Sequence, residues 1–251
     1  FKFMLTVIIC GTILKAIKGE EKYKGGAVYM YIIRQQWLQD NTIRKWYFLA
    51  AILILFGGCS TAILVSDAPQ NQWLSQTIFS RFLVFSLLVP VQILLLLSTF
   101  RVRLQDIYVT GSRRIIWKQL EYRLAIALLV TLVPWGVGCL IGMCLNGWGT
   151  RLGTIVAEAL IRYLYLALSC LAILLLVSLC LLASKRIWAF LAGFVLSGIS
   201  YFLNVNHHFS LFYDFLIDDL GTLLLSRLPI LLSIVLFLAV GVQMEIARKD
   251  W

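Results

Sequence analysis

The chain has 251 residues, of which 61% are apolar and only 14% charged, and its mean hydropathy is +0.90. An ordinary soluble domain is about 25% charged, so the composition excludes a soluble globular fold. The net charge of +10 sits in short connections between apolar runs; none is long enough for a basic, aromatic-interleaved domain, which argues against a nucleic-acid partner.

The segment from Phe3 to Ile17 is apolar but short and holds Lys15. Within an N-terminal unit of residues 1–26 it reads as a marginal span or a surface helix. No small-residue cleavage site follows it, only Lys18-Gly19-Glu20-Glu21-Lys22, which argues against a signal peptide. A chain that opens on Phe1 leaves room for a start further upstream. Residues 27–45 predict an amphipathic helix, with Met30, Ile33 and Trp37 on one face and Arg34, Gln35, Gln39 and Thr42 elsewhere. With Tyr29 and Tyr31 it suits the headgroup layer; the alternative is a plain extension of the first span.

Residues 46–251 then carry six apolar runs, at about 46–66, 82–100, 124–147, 163–184, 187–206 and 223–244. A helix crossing the hydrocarbon needs about 20 apolar residues, and in lipid the backbone must satisfy its own hydrogen bonds. The fold class is therefore an all-α polytopic membrane protein with six transmembrane helices. Pro90 and Pro134 fall inside runs and predict kinks. Gly138 and Gly142 form a GxxxG, and Ala189, Gly193 and Ser197 repeat every four residues; both read as close helix packing.

The connection from Arg101 to Arg123 contains Thr110-Gly111-Ser112-Arg113-Arg114, a break followed by a basic turn. Ser112 suits an N-cap, and Ile115, Ile116 and Trp117 follow, which predicts a short, half-apolar helix against the membrane. It is either a docking surface for a cytoplasmic partner or a positive-inside anchor. Glu158 and Arg162 stand one turn apart at the outer end of the fourth run, spaced to pair as an outer-leaflet charged pair, and near enough to the interface to reach it. Before the last run, Phe209, Phe212, Tyr213, Leu216, Ile217 and Leu220 fall at helical spacing with Asp214 and Asp218 opposite, predicting an outer amphipathic helix. His207 and His208 adjoin these aspartates, but adjacent histidines share a metal poorly, and no metal site is expected. The six cysteines (Cys10, Cys59, Cys139, Cys144, Cys170 and Cys180) lie in apolar runs without a CxxC and read as packing residues.

Charge sets the expected orientation. If the chain alternates across six spans and the Arg101–Arg123 connection is cytoplasmic, then Lys185, Arg186, Arg248, Lys249 and the basic residues from Lys15 to Lys45 are cytoplasmic too. The remaining bases and acids cancel, so the whole net charge of +10 lies on one face. The expected location is a cell membrane, of bacterial plasma-membrane type, with the C-terminus in the cytoplasm and anionic lipids against the basic connections. The sequence holds no GxxxxGK[ST], HExxH or GxSxG and no mid-span acid. Catalytic, cofactor and metal residues are therefore expected to be absent.

The order of parts resembles the permease subunit of type-2 ATP-binding-cassette exporters: an amphipathic helix, two spans, a basic connection, and a helical outer element between the fifth and sixth spans. The stretch Ile107–Leu120, IYVTGSRRIIWKQL, carries the resemblance, which covers residues 27–251. The short segment 3–17 departs from the family's six-span plan. The resemblance implies a coupling helix at Gly111, Ser112, Arg113, Arg114, Ile115, Ile116 and Trp117, where a separate ATPase subunit docks, with ATP bound by that partner alone. It implies a homodimer, or a heterodimer with a related permease, around a central path. The substrate expected for so compact a chain is an antimicrobial or other peptide, or another amphiphile. A non-transporting assembly or sensor subunit and a polytopic membrane enzyme remain as alternatives.

Overall fold

The computed structural model describes residues 41–64, 77–100, 114–145, 152–206, 209–210, 212–216 and 220–248. The predicted segment 1–26, residues 27–40 of the interfacial helix, and the connection 101–113 lie outside them. All the regular structure among the described residues is helical, and six helices are long and apolar enough to cross a membrane. They are α1 (Asn41–Leu64), α2 (Arg81–Thr99), α3 (Arg114–Leu145), α4 (Leu152–Ala183), α5 (Arg186–Val205) and α6 (Leu220–Arg248).

The helices overrun the uncharged runs. Residues 41–45, expected to end the interfacial helix, are continuous with α1. The short helix expected after Ser112 is not separate: from Arg114 the chain forms one 32-residue helix through Leu145. Glu121 and Arg123 interrupt the hydropathy there, but Trp117 to Arg123 contains no glycine or proline, so nothing interrupts helix propagation.

Side-chain meetings fix an alternating up-and-down bundle. Tyr47 near the start of α1 donates to Thr99 at the end of α2, 3.0 Å away, so this pair is antiparallel. On α1 and α3 the order is the same: Leu55 and Cys59 meet Gly138, and Ala62 meets Gly142, so these two run parallel. Gly193 of α5 lies over Val177 of α4, on either side of the Ser184–Lys185 turn. One end of the bundle, the turn end, therefore carries Ser184–Lys185 and the close of α6. The opposite end carries the starts of α2, α4 and α6. The central helix is α4, whose Tyr165, Leu166, Ile173, Leu174 and Val177 are fully buried.

Apolar side chains gain little by leaving lipid for one another, so close approach and hydrogen bonds decide helix pairing. The GxxxG serves this purpose. A Cβ on Gly138 would stand 2.3 Å from the Leu55 carbonyl oxygen, and one on Gly142 2.4 Å from the Ala62 Cβ. Ala189, Gly193 and Ser197 are likewise buried. Between α2 and α3, Gln92 Nε2 donates to Thr131 Oγ1 at 2.9 Å, and that hydroxyl donates back to the Ala127 carbonyl at 2.7 Å.

Among the described residues two π turns interrupt the helices, at Val84–Leu88 in α2 and Leu223–Arg227 in α6. Each ends two residues before a proline, Pro90 and Pro229. Proline has no N–H and its ring crowds the carbonyl four residues back; a wider turn before it relieves both. Pro134 sits within a continuous α3.

Candidate functional site

The distinctive polar chemistry lies at the end of the bundle opposite the turn. The predicted amphipathic helix is not found across the described part of residues 209–220. Phe212 and Tyr213 make a turn, Asp214–Leu216 one 3₁₀ turn, and α6 starts at Leu220. The described residues 209–210 and 212–216 form a strap tucked between the helices, with Tyr213, Asp214 and Phe215 all buried. Asp214, assigned from spacing to a polar outer face, is only 4% exposed. The aromatic rings prevail over the helical pattern because they fill the space between α4, α5 and α2: Phe215 packs on Phe79 with ring centroids 5.9 Å apart, and Tyr213 on Tyr201 at the same distance.

Helix α5 holds the strap through one polar face. Ser197, Ser200 and Asn204 stand at i, i+3 and i+7 and are all buried. Ser197 shares a 2.7 Å hydrogen bond with the Tyr213 hydroxyl, and Ser200 a 2.8 Å bond with Ser210. Asn204 Nδ2 donates to Asp214 Oδ1 at 3.0 Å, as does the Ser210 backbone N–H at 3.3 Å. Ser197 lies eight residues before the end of α5, so Tyr213 reaches about 12 Å into the bundle at 1.5 Å per residue.

Two arginines grip the strap from neighbouring helices. Arg162 of α4 donates through Nη1 to the Phe215 carbonyl at 2.7 Å, and its Nε and Nη2 lie 2.8 and 2.7 Å from Glu158 Oε1. The Glu158–Arg162 spacing thus forms a pair, but Arg162 is buried rather than reaching for the interface. Arg227 of α6 stands at the last position of the π turn, its Nε 3.5 Å from Asp214 Oδ2, with its guanidinium 4.2 Å from the centre of the Phe209 ring. That ion pair is loose: neither Asp214 Oδ2 nor Arg227 Nε has a hydrogen bond, and nor does Asn204 Oδ1. Burial raises the Asp214 pKa above its ordinary value, opposed by Arg227, the Ser210 N–H, Asn204 and Arg81. Burial likewise raises that of Tyr213.

Of the other predicted site residues, those that are described open α3 at the turn end. Gly111, Ser112 and Arg113 fall outside the described residues. Arg114 and Ile115 open α3. Ile116 is buried and Trp117 packs partly against the core, so Ile116 is turned inward rather than offered to a partner. His207, His208, Asp218 and Asp219 also lie outside the described residues. Among the described residues no three of His, Cys, Asp and Glu are grouped to hold a metal.

No protein-family model matches this sequence, and neither the curated proteins nor the solved structures contain a significant match to it. The strap's Asp214–Arg227 pair escaped sequence reading, although a signal was present: Ser197, Ser200 and Asn204 make a polar stripe on a span, and in lipid such a stripe needs partners.

Proposed function

We propose that this chain is the membrane-spanning permease subunit of an exporter powered by a separate ATP-binding-cassette ATPase. The observation that carries the reading is the division of labour between the two ends of the six-helix bundle. Arg44, Lys45, Arg114, Lys118, Arg123, Lys185, Arg186 and Arg248 belong to the turn end, which the positive-inside rule makes cytoplasmic. The opposite end is plugged by the buried strap between α5 and α6. A bundle anchored and addressed at one end and stoppered at the other suits alternating access driven from the cytoplasm.

In this reading the basic connection between α2 and α3, with Gly111 to Ile115 and the half-buried Trp117, receives the ATPase. It is anchored to two helices, and α3 carries any displacement from Arg114 to Leu145 as one rigid rod. The subunit acts as a dimer of itself or with a related permease. Its substrate is a peptide, such as an antimicrobial peptide, or another amphiphile. The test is pull-down of an ATP-binding protein from native membranes, with ATPase stimulation, comparing wild type, Arg113→Glu/Arg114→Glu and Lys185→Glu/Arg186→Glu. Loss of both signals in the first double variant alone supports the assignment. Wild-type signals in all three, or no ATP-binding partner at all, overturn it.

A further inference from the structure

We propose that the π turn Leu223–Arg227, held by Pro229, is a latch that keeps the strap closed by aiming Arg227 at Asp214. A π turn holds one residue more than the α-helix it replaces. Converting it to α turns the helix on one side by about 100° relative to the other, one residue's worth of rotation. Arg227 is the last residue of that turn, and regular α6 begins at Leu228, so the pairing of Arg227 with Asp214 depends on the extra residue. Pro229 favours the wider turn for the reason given above.

The geometry is that of a latch rather than a permanent weld. The Arg227–Asp214 contact spans 3.5 Å and leaves the facing Nε and Oδ2 without hydrogen bonds. Arg227 also has somewhere to go: its side chain is 27% exposed and already lies over the Phe209 ring. By contrast, the Arg162 grip on Phe215 is short and buried. The charged and titratable groups around Asp214 are Arg227 of α6, Arg81 of α2 and Tyr165 of α4, with the Arg162–Glu158 pair beside them holding Phe215. Motion of α6 therefore reaches the strap first through Arg227. The latch is a property of this chain alone; its use as an exit gate rests on the exporter reading.

Cys170 offers a native reporter near the strap. Tyr213 lies close enough to Cys170 of α4 for the two to interact electrostatically, and Cys170 is buried. Cys139, on α3 beside Gly58 of α1, is equally buried and serves as the control. The experiment measures maleimide labelling of each cysteine by peptide mass spectrometry in the purified full chain. The variants are Pro229→Ala, Arg227→Gln and deletion of Leu225, a lipid-facing residue of the π turn that is 84% exposed. Each is expected to raise the Cys170 rate about tenfold, as loss of a partly exposed ion pair allows, with Cys139 unchanged. Arg227→Gln added to Pro229→Ala should add nothing further, because both break one contact.

Equal acceleration at Cys139 marks general unfolding and counts against a latch for that variant. Wild-type labelling of Cys170 in Pro229→Ala and Arg227→Gln overturns the proposal and leaves the exporter reading standing. Selective opening in a chain that binds no ATPase keeps the latch and removes its role as a gate.

Discussion

The contact between α1 and α3 gives a prediction whose sign is set by distances. Gly138→Ala places a methyl 2.3 Å from the Leu55 carbonyl oxygen and 3.1 Å from the Cys59 nitrogen. Both are backbone atoms, so the two helices must separate rather than a side chain swing away. Overpacking of this kind costs about 1–3 kcal/mol. Alanine's better helix propensity returns about 1 kcal/mol, leaving a net loss centred on about 1 kcal/mol, or roughly a fivefold change in the unfolding equilibrium. Gly198→Ala makes the same chemical change where the nearest atom, on the Phe85 ring, is 3.5 Å away; it should be neutral or slightly stabilising. The assay is thermal unfolding of the detergent-purified chain, read by size-exclusion recovery after heating. Equal stability of the two variants, or a Gly138→Ala protein as stable as wild type, refutes the claim that backbone contact at Gly138 sets the α1–α3 approach.

Three further predictions follow from the same geometry. Cysteine placed at Lys185 should be labelled from the opposite side of the membrane to cysteine placed at Phe209; labelling from one side contradicts the six-span alternation. Arg162→Met should lower thermal stability by about 1–3 kcal/mol, because it leaves the buried Phe215 carbonyl without its donor, whereas Glu158→Gln, altering the half-exposed partner, should cost well under half as much. The strap should loosen as pH rises. Burial raises the Asp214 pKa in the docked strap, so docking binds the proton more tightly: its contribution is fully present below the ordinary value of 3.8 and is lost as pH climbs through the raised value. Protection of the Tyr213–Phe215 amides from hydrogen exchange, taken relative to the intrinsic exchange rate at each pH, should therefore fall across that window in wild type and stay constant in Asp214→Asn.

The six spans were legible because lipid imposes a single rule on the backbone, and runs such as Phe82–Thr99 obey it without interruption. Their ends were not, because a hydropathy run stops at Arg123, Arg162 or Arg227 while a helix does not. Each arginine is held within a helix, and Arg123 and Arg162 are buried. The packing role of Gly138 and Gly142 was also legible, since a small residue every fourth position has few other uses in a span. The strap was misread for a physical reason. Period-3.6 spacing of Phe209, Phe212, Tyr213 and Leu216 marks an amphipathic helix only when one face meets water or headgroups. Here the rings insert among the helices, and Asp214 on the nominally polar face is drawn in with them to meet Asn204 and Ser210.

The prolines tie these observations together. Pro90 and Pro229 are each preceded by a π turn, and both turns lie at the strap end of the bundle. The first carries Phe85, which stacks on Phe194 and Tyr201 of α5 at 5.2 and 5.0 Å; Tyr201 in turn meets Tyr213 of the strap. The second carries Arg227, which meets Asp214. One proline thus sets an aromatic approach to the strap through α5 and the other an electrostatic approach through α6. Apolar stacking of partly buried rings is insensitive to salt, whereas an ion pair whose arginine is partly exposed is screened by it. The two supports are therefore separable by ionic strength, and raising salt should weaken the α6 side of the strap while leaving the α5 side in place.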